Sequence, residues 1–349
     1  MLVTGSSGRP APSLRTALTA RAATRTAREL MPVSAVPDPE VARTLVADLR
    51  DAAATATDLV LDIMRLDPGT EDRARNTVAA GEIVVVDRLG WAGANARMFA
   101  GLLPEEARGG ALGTVQAALA RGAGTVTGAE LGAALAFLGP RVLGQFDPFG
   151  AGRGADAGGA GRGESGAGRL LLVAPNVLEH ERALAAKPRD FRLWVALHER
   201  THQVQFAAAP WLRETLRSHT SALLAAGPDL DPARLDAVIT LMSVLEGHAD
   251  VVMDAVPRRT LPSGRRLRKA FDARRSDTSS GIARLLGSLL GLEGKLAQYT
   301  QGAEFVRAVV RERGHVGLRP LWDEPSCLPT AEELADPEQW LRRVPGSGA

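Results

Sequence analysis

Apolar and polar positions along the chain repeat with two different periods. Helical spacing of apolar residues appears in DPEVARTLVADLRDAAATATDLVLDIMRL and DFRLWVALHERTHQVQFAAAPWLR, and ARLDAVITLMSVLEGHADVVMDAV is apolar almost all round. Two short apolar runs, GEIVVVD and RLLLVAPN, predict strands. We therefore expect a predominantly helical α+β protein with a small β-sheet.

Capping residues indicate where three of the helices begin. Asp38 is followed by Pro39, a residue suited to the first turn, and Asp190 precedes the apolar run of the second helix. Thr330 and Glu333 have the spacing of a capping box for the last helix.

The composition is that of a globular protein. The 349 residues are 45% hydrophobic and 23% charged, and the aromatic share of 4% favours helices packed through aliphatic side chains. A net charge of +2 does not by itself indicate a nucleic-acid partner. The lone Cys327 excludes an internal disulfide, and no apolar run has the length of a membrane span. We expect a cytoplasmic protein.

The chain is predicted to consist of a leader and one domain. Residues 1–37 are expected to be a poorly ordered leader, because they are rich in Arg, Ser, Thr and Ala and have no acidic residue before Glu29. Residues 38–349 would form a single domain with a flexible insertion at 150–169, where nine of twenty residues are glycine. GRGESG within it resembles a dinucleotide-binding turn, but a strand follows it instead of preceding it, so we expect no nucleotide there.

The stretch HERTH is the first candidate for chemistry. At 100° per residue, His198, His202 and Gln205 share one helix face, with Glu199 at its edge. Arg192, Arg200 and Gln203 form a polar stripe on the opposite side. Imidazoles one turn apart can bind one Zn²⁺, and the adjacent carboxylate can accept a proton from water.

A later helix could complete such a site. Glu246 and Asp250 share an apolar stripe, and buried carboxylates need partners. Zinc bound by Glu246, with Asp250 accepting the outer N–H of a ligand histidine, would satisfy both groups. The alternative is that both carboxylates pair with buried arginines. His248 lies about 160° around the helix from Glu246 and is expected to be a core residue.

HExxH followed by ExxxD, here HERTH and EGHAD, resembles the glutamate-zincin pattern. The stretches VVVDRLGW, RVLGQFDP, KLAQYTQGAEFV and LPTAEELADPEQWLRRV are similar to those of actinobacterial zincin-like metallopeptidases once described as associated with deazaflavin-coenzyme biosynthesis. The resemblance extends from about Asp38 onward. It implies a zincin-like α+β fold, with HERTH on the active-site helix, and a zinc hydrolase.

Two further sequence features and one alternative function also have to be considered. The only tyrosine, Tyr299, could donate to a developing oxyanion, although packing with a surface hydroxyl explains it about as well. The basic run from Arg258 to Arg275 could bind nucleic acid or an anionic surface, although a solvated loop and helix face explain it equally. A zincin-like scaffold that no longer hydrolyses anything is a third possibility, against which the presence of Glu199 argues.

The sequence therefore predicts a zinc-dependent hydrolase, a metallopeptidase that acts on a peptide or protein and not on nucleic acid. Zn²⁺ would be held by His198, His202 and Glu246, with a fourth position open for water. Glu199 would act as general base, and Tyr299 is a second catalytic candidate. The edge of the strand LLLVA could receive an extended substrate. The sequence does not indicate the oligomeric state.

Overall fold

The computed structural model describes residues 14–102, 128–150, 167–226, 231–273 and 299–346. Within these ranges the chain is mostly helical and contains one small sheet, which confirms the predicted predominantly helical α+β class. The larger part of the predicted insertion, 151–166, lies outside the described residues.

Of the described helices, three precede the first strand, two lie between the first and second strands, and the others follow the third strand. In chain order they are α1 Leu14–Leu30, α2 Pro39–Met64, α3 Pro68–Ala80, α4 Arg88–Leu102, α5 Gly128–Leu138, α6 Ala174–Ala183, α7 Pro188–Ala208, α8 Trp211–Ala226, α9 Pro232–Ala255, α10 Gly264–Asp272, α11 Tyr299–Arg313, α12 Pro320–Asp323, α13 Ala331–Ala335 and α14 Pro337–Arg343. Two 3₁₀ turns are His315–Leu318 and Pro325–Cys327. The strands are β1 Glu82–Val86, β2 Gly144–Asp147 and β3 Arg169–Val173.

Two of the three predicted helix caps are confirmed. The Asp38 carboxylate accepts from the backbone N–H of Glu40 at 2.8 Å, and Thr330 with Glu333 forms the capping box. The prediction for Asp190 is wrong, because α7 begins at Pro188 and Asp190 lies in its first turn. There the Asp190 carboxylate accepts from the N–H of Ser263 at 2.9 Å, which ties the start of α7 to the chain before α10.

The three strands form a sheet in the order β1-β3-β2. β1 runs parallel to β3, with Glu82 opposite Arg169, and β2 runs antiparallel to β3, with Gly144 opposite Leu172. The leucine-rich β3 is therefore central and paired on both sides. The prediction that LLLVA offers an edge to a substrate is wrong, since the edges belong to β1 and β2.

The predicted leader is ordered over part of its length. Residues Leu14–Leu30 form α1, which packs against α4 and α5 through the buried Ala23 and Ala27. A Cβ on Gly132 of α5 would lie 2.6 Å from the Cβ of Thr26, so these helices approach closely. This part of the predicted leader is therefore helical in the structure and packs on two other helices.

The helix α7, which carries HERTH, lies at the centre of the fold. It packs against α2 on one side and contacts β2, β3 and α9 elsewhere. The polar stripe predicted on its far side is buried: Arg192 pairs with Glu181 and Asp48, and Arg200 donates to the carbonyl oxygen of Ala53. Because buried polar groups need partners, these contacts fix how α7 sits against α2.

The helices α9 and α11 cross at two glycines. A Cβ on Gly302 of α11 would overlap the carbonyl oxygen of Ser243 on α9, and one on Gly247 of α9 would overlap the backbone of Gly302. Glycine at both positions lets the two backbones touch. The contact lies next to Glu246, the residue that precedes Gly247.

Candidate metal centre

Two helices bring three metal-ligand side chains together. His198 and His202 lie one turn apart on α7, and Glu246 lies on α9. The two Nε2 atoms are 3.2 Å apart. Glu246 Oε2 lies 3.4 Å from His198 Nε2, and Glu246 Oε1 lies 3.5 Å from His202 Nε2. The three predicted ligands thus form one cluster that could hold a metal ion.

The spacings in the cluster have the dimensions of a zinc site. Zinc binds histidine nitrogen and carboxylate oxygen at about 2.0–2.2 Å, so adjacent donors of a tetrahedral site lie about 3.3–3.6 Å apart. The two histidine nitrogens are 3.2 Å apart, and a different oxygen of Glu246 lies 3.4 to 3.5 Å from each of them. With one atom taken from each residue, the donors lie within 4.8 Å of one another. Two imidazoles and a carboxylate are also a donor set of catalytic zinc sites, in which a fourth position stays open. The residues therefore fit one zinc ion.

The charge of Glu246 affects the two histidines differently. Burial lowers the pKa of His198, but the hydrogen bond and charge of Glu246 outweigh it and raise that pKa to about 9. For His202 burial dominates and lowers the pKa, despite the charge of Glu246. In the metal-free protein at neutral pH, His198 is therefore protonated and His202 is neutral.

The side chain of Glu199 extends from α7 to the edge strand β2. Its Oε2 accepts from the backbone N–H of Phe146 at 3.2 Å. A Cβ on Gly144 would lie 2.6 Å from Glu199 Cγ, so glycine is needed there for the close approach. Burial raises the pKa of Glu199 to about 7, although the charge of His198 opposes the shift. A carboxyl group with a pKa near neutral can both accept and return a proton.

A buried glutamine links the cluster to the core, and its role was not predicted from the sequence. Gln205 Oε1 lies 2.9 Å from His202 Nδ1, and its Nε2 lies 2.9 Å from both the carbonyl oxygen of Leu245 and His248 Nδ1. The available signal was its position on the histidine face of α7, one turn after His202. His248 is buried against Trp322, with ring centroids 4.9 Å apart, and burial lowers its pKa to about 3.

Asp250 pairs with an arginine, which was the alternative to a role beside a ligand histidine. Its Oδ1 accepts from the guanidinium of Arg268 at 2.5 Å, and the same arginine donates to the Asp250 carbonyl oxygen at 2.9 Å. The outer nitrogen of His202, Nδ1, faces Gln205 Oε1 at 2.9 Å. Its charge contributes to raising the pKa of His198. A supporting role of Asp250 toward His198 stays a prediction.

The Tyr299 side chain lies outside the described residues, and the structure places only the residue's backbone, at the start of α11. That helix crosses α9 at Gly302, one turn after Tyr299, next to Glu246. The catalytic role of Tyr299 stays a prediction.

Part of the basic run makes ion pairs and hydrogen bonds with other parts of the protein. Arg268 pairs with Asp250 and Asp254, and Arg266 donates to the carbonyl oxygens of Leu184 and Ala185 at the end of α6. Between these arginines, Leu267 is buried; Phe271 further along α10 stacks on Trp194 of α7, with centroids 4.3 Å apart. The run therefore anchors α10 to the helices that carry the cluster.

In the part of the chain that the structure describes, no helix combines the length and the apolar character that crossing a membrane requires.

The fold and the cluster together define a mostly helical α+β protein with a site suited to one metal ion. The chain belongs to the zincin-like metallopeptidase family, whose sequence profile matches residues 19–237 and 225–341. Membership indicates a zinc-dependent hydrolase. The match begins within α1, so part of the predicted leader belongs to the region that the family shares. The suggested actinobacterial and deazaflavin associations stay predictions.

The chain is also similar to a solved structure. The chain is 30% identical to a protein described as "a putative hydrolase with a novel fold" from Chloroflexus aurantiacus, with a TM-score of 0.66. The similarity covers 95% of this chain and 98% of that one. No curated protein matches the chain.

Proposed function

We propose that the protein is a zinc-dependent peptidase in which His198, His202 and Glu246 bind the metal and Glu199 is the general base. The observation that carries the proposal is the convergence of two histidine nitrogens, 3.2 Å apart, and the Glu246 carboxylate, whose oxygens lie 3.4 and 3.5 Å from them, beside the buried carboxyl group of Glu199. When bound, zinc supplies a Lewis acid that polarises the scissile carbonyl and makes water more acidic.

The protein's own groups supply the proton transfer. The Phe146 N–H orients the Glu199 carboxylate, which accepts a proton from the attacking water and returns it to the leaving amine. A pKa near 7 suits both steps, since the group must gain and lose the proton in each turnover. The sheet edge nearest this reaction is β2, which contributes Phe146, so an extended peptide substrate would lie on the β2 side of α7.

Metal analysis together with a peptide-cleavage assay tests the proposal. The protein would be purified without chelators, its zinc measured by mass spectrometry, and a mixed peptide library digested and sequenced. We expect about one zinc per chain, by the ligand count of the site. Cleavage should stop after zinc removal and return when zinc is added.

Two results would overturn the proposal in different ways. Substoichiometric zinc, with no gain in binding or cleavage on zinc addition, would remove the metal site altogether. Stoichiometric zinc without cleavage of any library peptide would leave the inactive zincin-like scaffold as the function. A salt-sensitive shift of nucleic acid by metal-free protein would favour the basic run instead.

Zinc affinity should depend on pH through His198. This histidine has a pKa of about 9 in the metal-free protein, and zinc must displace its proton to bind. Competition from the proton weakens as the pH rises, so the apparent affinity should increase by about tenfold per pH unit between roughly pH 7 and 9. Competition with a chelator of known proton affinity measures this dependence. An affinity that is constant over this interval would contradict the protonation of His198.

A further inference from the structure

The orientation of the Gln205 side chain follows from its neighbours. The amide end that lies 2.9 Å from the carbonyl oxygen of Leu245 must be the NH₂ group, because a carbonyl oxygen can only accept. The other end is therefore the amide oxygen, and it faces His202 Nδ1 at 2.9 Å. One backbone carbonyl thus determines which way the amide points.

This orientation determines the tautomer of His202. An amide oxygen cannot donate, so His202 Nδ1 must carry the hydrogen that joins the two groups. In the neutral ring, Nε2 then has a lone pair, and Nε2 is the atom that faces His198 and Glu246. The second N–H of the Gln205 amide points to His248 Nδ1, which must accept it.

The same side chain connects the two helices that carry the cluster. Gln205 lies on α7 with the histidines, and the carbonyl to which it donates belongs to Leu245, the residue before Glu246 on α9. Gln205 is fully buried, so water does not compete for these bonds. Loss of the amide would leave the Leu245 carbonyl and His248 Nδ1 without this donor.

We propose that Gln205 is a positioning residue of the metal centre, which holds His202 in its metal-binding tautomer and fixes α9 relative to α7. The inference rests on the proposed function for its link to zinc, whereas the tautomer is a property of the metal-free protein. For His202, Gln205 thus accepts the outer N–H of the ligand histidine, the role that the sequence analysis had given to Asp250.

The test compares Gln205→Met with Gln203→Met. Methionine has a similar size and cannot make the amide hydrogen bonds. Gln203 is a matched control, because it is buried on the same helix, donates to the carbonyl oxygen of Ala167 and accepts from Arg200. Zinc affinity is measured by chelator competition. The His202 tautomer is measured in the metal-free protein by nitrogen NMR of labelled histidine, with thermal unfolding of both variants.

Wild type should show hydrogen on Nδ1 of His202 and none on Nε2. Gln205→Met should give a mixture of tautomers and weaken zinc binding by about 10- to 100-fold, the usual effect of removing a group that supports a ligand histidine. Gln203→Met should change neither, although it too lowers the melting temperature.

A second variant keeps the test decisive if Gln205→Met does not fold. Gln205→Glu retains an acceptor for His202 Nδ1, so the tautomer should stay as in wild type, and stability should fall because a carboxylate faces the Leu245 carbonyl and His248 Nδ1. Unchanged zinc binding and tautomer in Gln205→Met, a mixed tautomer in Gln205→Glu, or equal zinc loss in Gln205→Met and Gln203→Met would each overturn the proposal. If wild type binds no zinc, the peptidase proposal fails and the tautomer measurement still decides the role of Gln205.

Discussion

Replacement of Glu199 by glutamine should abolish most hydrolysis and leave the metal in place. Glutamine keeps the size of the side chain and an oxygen for the N–H of Phe146, but it cannot accept a proton at neutral pH. General-base catalysis contributes about two to four orders of magnitude, so the cleavage rate should fall by that factor. Zinc content and melting temperature should remain near wild type.

The measurement is the single-peptide cleavage rate of Glu199→Gln at equal zinc occupancy. Glu214→Gln is the matched control, since this glutamate is exposed on α8 and pairs only loosely with Arg217, at 4.0 Å. It should cleave at the wild-type rate. A Glu199→Gln variant that is fully loaded with zinc and still active would exclude Glu199 as the base.

Replacement of Glu246 by glutamine should lower the affinity of the protein for zinc. A neutral amide replaces an anionic donor, so the zinc affinity should drop. Removal of a group that only supports a ligand lowers the affinity by about 10- to 100-fold, so loss of the ligand itself should lower it by about 100-fold or more. Zinc stabilises the folded state by linkage, and at zinc concentrations of about 100 times the dissociation constant this amounts to about 2.7 kcal/mol. Glu246→Gln should lose most of that stabilisation.

Thermal unfolding with and without chelator, together with zinc titration, checks this expectation. Asp254→Asn is the control on the same helix, because Asp254 is exposed and pairs with Arg268 and Arg307. It should bind zinc as wild type does. If Glu246→Gln retains zinc while Asp250→Asn loses it, the third ligand has been assigned to the wrong carboxylate.

Local periodicity was enough to predict much of the candidate site. The placement of His198 and His202 on one face needs only helix geometry, and an acidic residue on an apolar stripe identified Glu246 as a group in need of a partner. Both inferences depend on neighbours along one helix. The structure brings these side chains together as that reasoning expected.

Contacts between distant parts of the chain were beyond the same reasoning. Arg200 was placed in a polar stripe opposite the histidines, and nothing in its own helix shows that α2 covers it. The ion pair of Asp250 with Arg268 was not identified, since this arginine lies beyond the end of α9. The central position of β3 depends on pairing with β1, far earlier in the sequence. In each case the missing information is a partner that sequence spacing does not identify.

The glycine crossing of α9 and α11 has a consequence for the shape of the histidine–glutamate cluster. Glu246 precedes Gly247, and Gly247 touches the backbone of Gly302, so the interhelical distance is set by direct backbone contact. A side chain at either glycine would move α9 and widen or skew the triangle formed by Glu246 and the two histidines. The glycines therefore help to set where Glu246 stands relative to the two histidines, although neither is a member of the cluster.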